Sequence, residues 1–312
     1  MSTSIRLFSR EDCRRHWQLA LSSKSLKKRS KLARLLKMLG DTEGMRCAEI
    51  GCDRGVTSYY LRRCGGEWVS ADPDEVNTAA TLHLVGRAVV QADPTRVALK
   101  SGGFDCVVAI DSLEHVHADH ELAGEIARIL RPGGRAYVST PQTGPFFLLH
   151  RVAAALGLKP SHYGHVREGY TEAQLRALLE AAGLRVVETT SCSRFVTELI
   201  ELLVNVAYMF VLHKKAEGGI APATQSALQK HGLAFRLFSA LFPVLWLLSQ
   251  LDRLLFFSKG YIIIVKAVRE FEVLSLRDRA QEAFVNAILN PPPPPNEALR
   301  AAAARYGEHG GL

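Results

Sequence analysis

Three carboxylates in this 312-residue chain stand where apolar runs give way to turns. Glu49 lies in Cys47-Ala48-Glu49-Ile50-Gly51-Cys52-Asp53-Arg54-Gly55, Asp72 in Ala71-Asp72-Pro73 and Asp93 in Ala92-Asp93-Pro94. Proline holds the residue before it in extended geometry and stops the strand there, so Asp72 and Asp93 are expected at strand ends. Gly51 and Gly55 mark a tight turn where bare backbone can approach a ligand, and the helical stretch that follows offers unpaired N–H groups. Asp72 follows Gly51 by about twenty residues, the spacing at which a doubly wound nucleotide fold places the acid that holds a ribose. The plain alternatives are a turn cap for Glu49, a surface acid for Asp72 and a turn former for Asp93.

Further along, Asp111, Glu114 and His115 form a D-x-x-E-H set. Two carboxylates and an imidazole have the chemistry to hold Mg2+ or Zn2+. A helix-start cap is the alternative, and the reading adopted is that no metal is needed. Histidine suits proton removal near neutrality. His115 is therefore the first candidate general base, followed by His165 and His162 in a later connection, each with a structural role as its alternative.

Strands and helices alternate between Arg46 and about Thr140. The strand candidates are Arg46–Ile50, Glu67–Ala71, Arg87–Gln91, Asp105–Ile110 and Arg135–Ser139. Such alternation argues for a parallel sheet covered on both faces by helices. Leu130-Arg131-Pro132-Gly133-Gly134 reads as a helix stop and turn. Thr171–Ala182 reads as a helix with Thr171 as N-cap and Gly183 at C′, Leu184–Thr190 as a sixth strand and Gly260–Val268 as a seventh. The expected fold class is α/β: a Rossmann-like, doubly wound, seven-stranded sheet, mostly parallel with the last strand antiparallel.

EIGCDRG at 49–55, Asp72, Asp93, FDCVVAIDSLEHV at 104–116 and LRPGG at 130–134 occur in the order found in the class I S-adenosylmethionine (SAM)-dependent methyltransferases, which the chain resembles over roughly residues 25–192 and 260–268. Within that superfamily it resembles the branch of ubiquinone-pathway O-methyltransferases. The resemblance implies SAM as cofactor, with Glu49, Gly51 and Gly55 framing its methionine moiety. It implies Asp72 on the ribose hydroxyls, Asp93 on the adenine amino group and Asp111 lining the cleft near the methyl donor. It also associates the acid, acid and histidine of the D-x-x-E-H set with a divalent metal in quinone-pathway relatives. Asp53 departs from the family's usual glycine, although aspartate tolerates unusual backbone angles better than most residues.

Two regions lie outside that core. Residues 1–44 read as basic helices, with Lys24, Lys27, Lys28, Arg29, Lys31, Arg34 and Lys37 around an apolar series. They form either a solvated face or a contact with anionic lipid. Residues 194–258 form an apolar helical insertion, Phe195–His213 and Leu233–Phe257, with a polar stripe at Glu198, Glu201 and Asn205. Neither segment offers about 18 uninterrupted apolar residues, so a hairpin lying in the membrane interface is expected rather than a span. A lid over the domain and a homodimer interface through residues 195–257 are the alternatives. The remaining divisions are a core at 45–193, a final strand at 259–270 and, at 271–312, a helix over 276–289, a polyproline linker and a tail.

The chain is 47% hydrophobic and carries a formal net charge of +8. That balance favours an anionic partner: nucleic acid, a membrane surface or an acidic substrate. The six cysteines form no CxxC pair and read as reduced, and the polar start shows no apolar signal segment. Cytoplasmic placement, peripheral at the inner membrane face, is the expectation. Asp111-Ser112-Leu113-Glu114 stands where nucleic-acid amino methyltransferases carry a proline–aromatic motif, so no nucleic-acid partner is expected. The leading functional expectation is methyl transfer from SAM to a small hydrophobic or lipid-linked acceptor, most readily a hydroxyl. RNA methylation and a non-catalytic SAM-binding scaffold are the alternatives.

Overall fold

The computed structural model describes residues 5, 7–145, 147–157, 164–212, 232–270 and 286. The chain divides into two units, Met1–Phe271 and Glu272–Leu312. Of the second only Asn286 is described, so the expected helix over 276–289, the polyproline linker and the tail lie outside the described residues.

Seven strands form one sheet: β1 (Arg46–Ile50), β2 (Glu67–Asp72), β3 (Val89–Gln91), β4 (Phe104–Ile110), β5 (Leu130–Pro141), β6 (Leu184–Cys192) and β7 (Ile262–Arg269). Their order is β3-β2-β1-β4-β5-β7-β6. The first five are parallel, and β7 lies antiparallel between β5 and β6, as expected. Two strand limits differ from expectation. β3 starts at Val89 because Ala88 has φ 54°, which breaks the extended run. The LRPGG turn is absorbed into β5: pairing jumps from Phe104–Leu130 to Cys106–Arg135, and the extra residues bulge out with Gly133 at φ 75°.

The helices are α1 (Arg10–Arg15), α2 (Trp17–Ser22), α3 (Leu26–Leu39), α4 (Val56–Arg62), α5 (Glu75–Val85), α6 (Asp119–Ile129), α7 (Leu148–Ala155), α8 (Glu172–Ala181), α9 (Phe195–Leu212) and α10 (Gly232–Ser249). Single 3-10 turns occupy Leu113–His115 and Gln250–Arg253. Thr171 caps α8 in a full capping box with Gln174, and Gly183 follows at φ 78°. On one face of the sheet Ala48, Ile50, Val107, Val138 and Val265 pack with Leu122, Ile126, Leu175 and Leu179 of α6 and α8. On the other, Cys47, Cys106, Val108 and Tyr137 pack with Leu35, Leu39 and Leu61 of α3 and α4. All six cysteines are free, five of them buried.

The basic helix α3 is therefore a layer of the sheet domain, and three cations expected on a solvated or lipid-facing side are engaged by acids of other elements. Lys27 pairs with Glu198 (2.8 Å), Lys28 with Asp53 (3.5 Å) and Lys31 with Asp111. The polar stripe of α9 serves the same joint. Glu201 Oε1 accepts from Ser25 Oγ and from the Lys27 amide, both at 3.0 Å, at the start of α3. Leu199, Leu202 and Val206 of α9 pack on Phe147, Leu149 and Tyr261. Val196, Ile200 and Val204 pack on Phe238, Phe242 and Leu245 of α10. α10 itself leaves Leu237, Leu241, Val244 and Leu247 more than half exposed. By length and composition Phe235–Arg253 is long and apolar enough to cross a membrane, with 11% of it buried. Arg236 and Arg253 sit near its ends, Ser239 and Pro243 interrupt its apolar run as expected, and the helix runs on through Pro243.

Candidate active site

The carboxyl ends of β1, β2 and β4 carry the site. Glu49 is fully buried; its Oε2 accepts from Ser58 Oγ of α4 (2.5 Å) and Ser70 Oγ of β2 (2.6 Å). Burial pushes its pKa up while both hydroxyls pull it down. Oε1 is buried with no partner among the described residues, an acceptor that a ligand's N–H would satisfy.

Both glycines of the turn are demanded by neighbouring chain. Gly51 has φ 78°, and a Cβ there would sit 2.3 Å from Ser112 Oγ, which donates to Ile50 O at 2.8 Å. Gly55 has φ 82° and lies so close to α5 that a Cβ would sit 2.9 Å from Thr81 Cα. Between them Asp53 takes φ 46°, a left-handed angle that aspartate tolerates better than most residues. Its amide donates to Asp72 Oδ2 (3.0 Å), and Thr81 Oγ1 donates to its carbonyl (3.0 Å).

Asp72 is buried, and its Oδ1 accepts from the Asp74 amide (3.0 Å) and Asn77 Nδ2 (3.2 Å). Burial pushes its pKa up against these N–H donors. A carboxylate offers about four acceptor positions. One therefore remains for a ligand hydroxyl, and a second opens if the Asn77 amide yields. Asp93, by contrast, is exposed beyond β3. Its Oδ1 accepts from Thr95 N (2.8 Å) and Thr95 Oγ1 (2.7 Å), which hold its carboxyl below the usual range. The geometry there is that of a turn former.

At the end of β4 the D-x-x-E-H set divides. Asp111, at φ 49°, pairs with Lys31 of α3. Burial, then the nearby Lys28, pushes Lys31 down to about 8. Glu114 is fully buried; its Oε2 accepts from Thr140 Oγ1 (3.2 Å), Oε1 has no partner among the described residues, and burial pushes its pKa up to about 7. His115 Nδ1 lies 3.0 Å from the Gly164 carbonyl. A carbonyl only accepts, so the proton of the neutral ring is assigned to Nδ1 and the lone pair to Nε2. The His165 ring stands edge-on to His115 with centroids 4.7 Å apart, and burial pushes its pKa down to about 4.

Glu114, His115 and His165 each bring a ligand atom within 4.8 Å of the others. The donor set that geometry assembles is thus this trio, with Asp111 drawn away by Lys31. Two imidazoles and a carboxylate fit a transition ion better than Mg2+. His162 lies outside the described residues. Arg167 and Tyr170 order the same loop: Arg167 pairs with Asp119 and donates to Val116 O (2.8 Å), and Tyr170 Oη donates to Asp119 Oδ2 (2.7 Å).

Sequence reasoning missed Lys31 as a site residue. It stands four residues before the buried Leu35 and eight before the buried Leu39. That placement on the inward stripe of α3 was the available signal.

A family model described as a methyltransferase domain matches residues 24–189, more than half of the chain. The chain belongs to the class I SAM-dependent methyltransferases. Curated relatives of this methyltransferase include a ubiquinone biosynthesis O-methyltransferase of Xanthomonas oryzae pv. oryzae, 29% identical over 159 residues, covering 48% of this chain and 66% of the relative. Another, of Xylella fastidiosa, is 30% identical over 156 residues, covering 47% of this chain and 63% of the relative. The match spans just under two thirds of the length of these relatives. Among solved structures, a putative methyltransferase from Bacillus halodurans superposes with TM-score 0.51 at 15% identity, covering 77% of this chain and 99% of that one. The [4+2]-cyclase SpnF superposes with TM-score 0.51 at 18% identity, covering 82% and 83%. A second family model, described as antitoxin TacA 1-like, matches residues 265–308, most of which lie outside the described residues.

The crevice of the methyltransferase fits SAM on two observations. Glu49 keeps an orphaned buried acceptor, and Asp72 is a buried carboxylate with acceptor capacity left.

Proposed function

We propose that this methyltransferase moves the methyl group of SAM to a hydroxyl of a small hydrophobic or lipid-linked acceptor at a membrane surface. The observation that carries this reading is the juxtaposition at the end of β4: Glu114 with its pKa near 7, and His115 with Nε2 left to accept a proton. The curated relatives named as ubiquinone biosynthesis O-methyltransferases support an oxygen acceptor on a hydrophobic body.

When bound, SAM supplies an electrophilic methyl carbon on a cationic sulfur and leaves as a neutral thioether. In this reading Asp72 holds the ribose, Glu49, Gly51 and Gly55 shape the methionine end, and Asp93 takes the adenine amino group from the crevice rim. Asp111, neutralised by Lys31, lines the wall beside the methyl group. His115 Nε2 takes the acceptor's proton as its oxygen attacks in line, and ionised Glu114 favours the resulting imidazolium. His165, pushed down to about 4, stays neutral and orients the His115 ring. No step requires a metal; Glu114, His115 and His165 would be the residues to hold one, and it would supply positioning of the acceptor oxygen. The exposed apolar face of α10 and the cations Arg236 and Arg253 near its ends are offered to an anionic membrane.

The test is calorimetric SAM binding followed by a panel of catechol and phenol acceptors with and without an isoprenoid tail, read by mass spectrometry. A gain of one methyl group on tailed phenolic acceptors is expected. SAM binding without transfer to any hydroxyl would overturn the reading and favour the scaffold alternative.

A further inference from the structure

On a second face of α3, away from Lys31, a cavity of about 500 Å3 opens between that helix, the β6–α9 corner and the end of α10. Five cations from three separate elements line it: Arg29, Arg34 and Lys37 of α3, Arg194 of the corner, and Arg253 after α10. None of the five makes an ion pair among the described residues. The lining includes one acid, Asp252, and it is already engaged. Its oxygens accept from the amides of Arg194 (2.9 Å) and Val196 (2.8 Å) at the start of α9. Like charges gathered around one partly enclosed space raise its potential, and the cost falls when an anion enters.

A second observation is independent of charge. Ser193, at φ 55° and 3% exposed, lines the same cavity, and its Oγ is buried with no hydrogen-bond partner among the described residues. An unpartnered buried hydroxyl among arginines is what a tetrahedral oxyanion would satisfy. Trp246 of α10, half-exposed, borders the cavity and places it at the root of the apolar helix.

We propose that this cavity binds a phosphate-bearing group. The site is distinct from the methyl-donor crevice and stands whether or not the methyl-transfer reading holds. Two sources share the chemistry: the headgroup of an anionic lipid beside α10, and a soluble phosphate ester or diphosphate. Arg34 and Lys37 present a solvent-reachable rim, whereas Arg29 is withdrawn, its guanidinium stacked 5.2 Å over Phe8 and donating to Ser23 O at 3.3 Å. Arg253 is likewise exposed, so Arg34, Lys37 and Arg253 are those to test.

The full-length protein is titrated with inorganic phosphate and pyrophosphate by calorimetry. It is also floated with phosphatidylcholine vesicles with and without added phosphatidylglycerol. The variants are Arg34→Ala/Arg253→Ala and, separately, Lys37→Glu. Pyrophosphate is expected to bind the wild type and to bind both variants roughly tenfold more weakly or worse, the loss expected for a charged hydrogen-bond partner. Flotation with phosphatidylglycerol that falls in the variants and is competed by pyrophosphate identifies a lipid headgroup. Flotation unchanged while pyrophosphate binding is lost identifies a soluble phosphate compound; both support the site. If the wild type binds neither probe, or the variants bind both as it does, the proposal is overturned. SAM affinity in the same samples is expected to stay constant, which separates failure here from failure of the donor site.

Discussion

Asp72 shows how a single residue joins fold and ligand. It is buried and accepts from the amides of Asp53 and Asp74, so it closes the first turn and starts α5 before any ligand arrives. Asp72→Ala is expected to weaken SAM binding by about 1.5–3 kcal/mol, roughly 10- to 150-fold in Kd by calorimetry; unchanged affinity would place the ribose elsewhere. Glu114 makes a different prediction, in pH. Its folded pKa of about 7 lies above the ordinary 4.5, so the folded state keeps a proton that the unfolded chain has lost. The stability tied to that proton is fully present below about 4.5 and is lost as pH rises through about 7, a change of about 3 kcal/mol at most. Glu114→Gln is expected to flatten that slope in denaturant titrations between pH 4.5 and 7 and to remove a rise in kcat/KM with a midpoint near 7. A variant retaining both would remove Glu114 from the site. Asp72 and Glu49 were legible in the sequence because proline and glycine punctuate the strand ends that carry them. The environments of Glu114 and Lys31 were not, since burial by a helix more than eighty residues away leaves no local mark.

Most elements declare themselves through local chemistry: Thr171 with Gln174, Ser25 before α3, and alternation along β1 to β5. What the local pattern hides is which face of an element meets another. The cations of α3 look like one solvated side, yet Lys27 and Lys31 face acids on α9 and at the end of β4. The acids of α9 look like a thin polar stripe in a membrane helix, yet Glu201 supports the first turn of α3. Glu201→Ala is expected to cost about 1 kcal/mol, the usual value of a helix-start acceptor, and to loosen α3 specifically. Hydrogen exchange should rise at the amides of 26–30 with little change in β1 or β4. Uniform exchange across α3 in variant and wild type would show that the contact does not hold that helix end.

For the whole molecule, the outward face of α10 decides between a membrane and a second copy of the chain. Leu237, Leu241, Val244 and Leu247 are each more than half exposed. Full burial of such a side chain is worth about 1.5–3 kcal/mol in either environment. The apolar term therefore does not discriminate, but charge does. Arg236 and Arg253 flank the helix, and each cation near an anionic surface contributes about 1 kcal/mol that salt screens. Two copies meeting through this face would bring like charges together, and salt would strengthen rather than weaken that contact. Binding to phosphatidylglycerol liposomes is accordingly expected at low salt and should weaken but persist near 0.5 M, roughly a Debye length of 4 Å. Leu241→Ser/Val244→Ser/Leu247→Ser is expected to abolish co-sedimentation while leaving SAM affinity intact. A wild-type dimer by light scattering that tightens with salt and ignores liposomes would assign the face to a second copy.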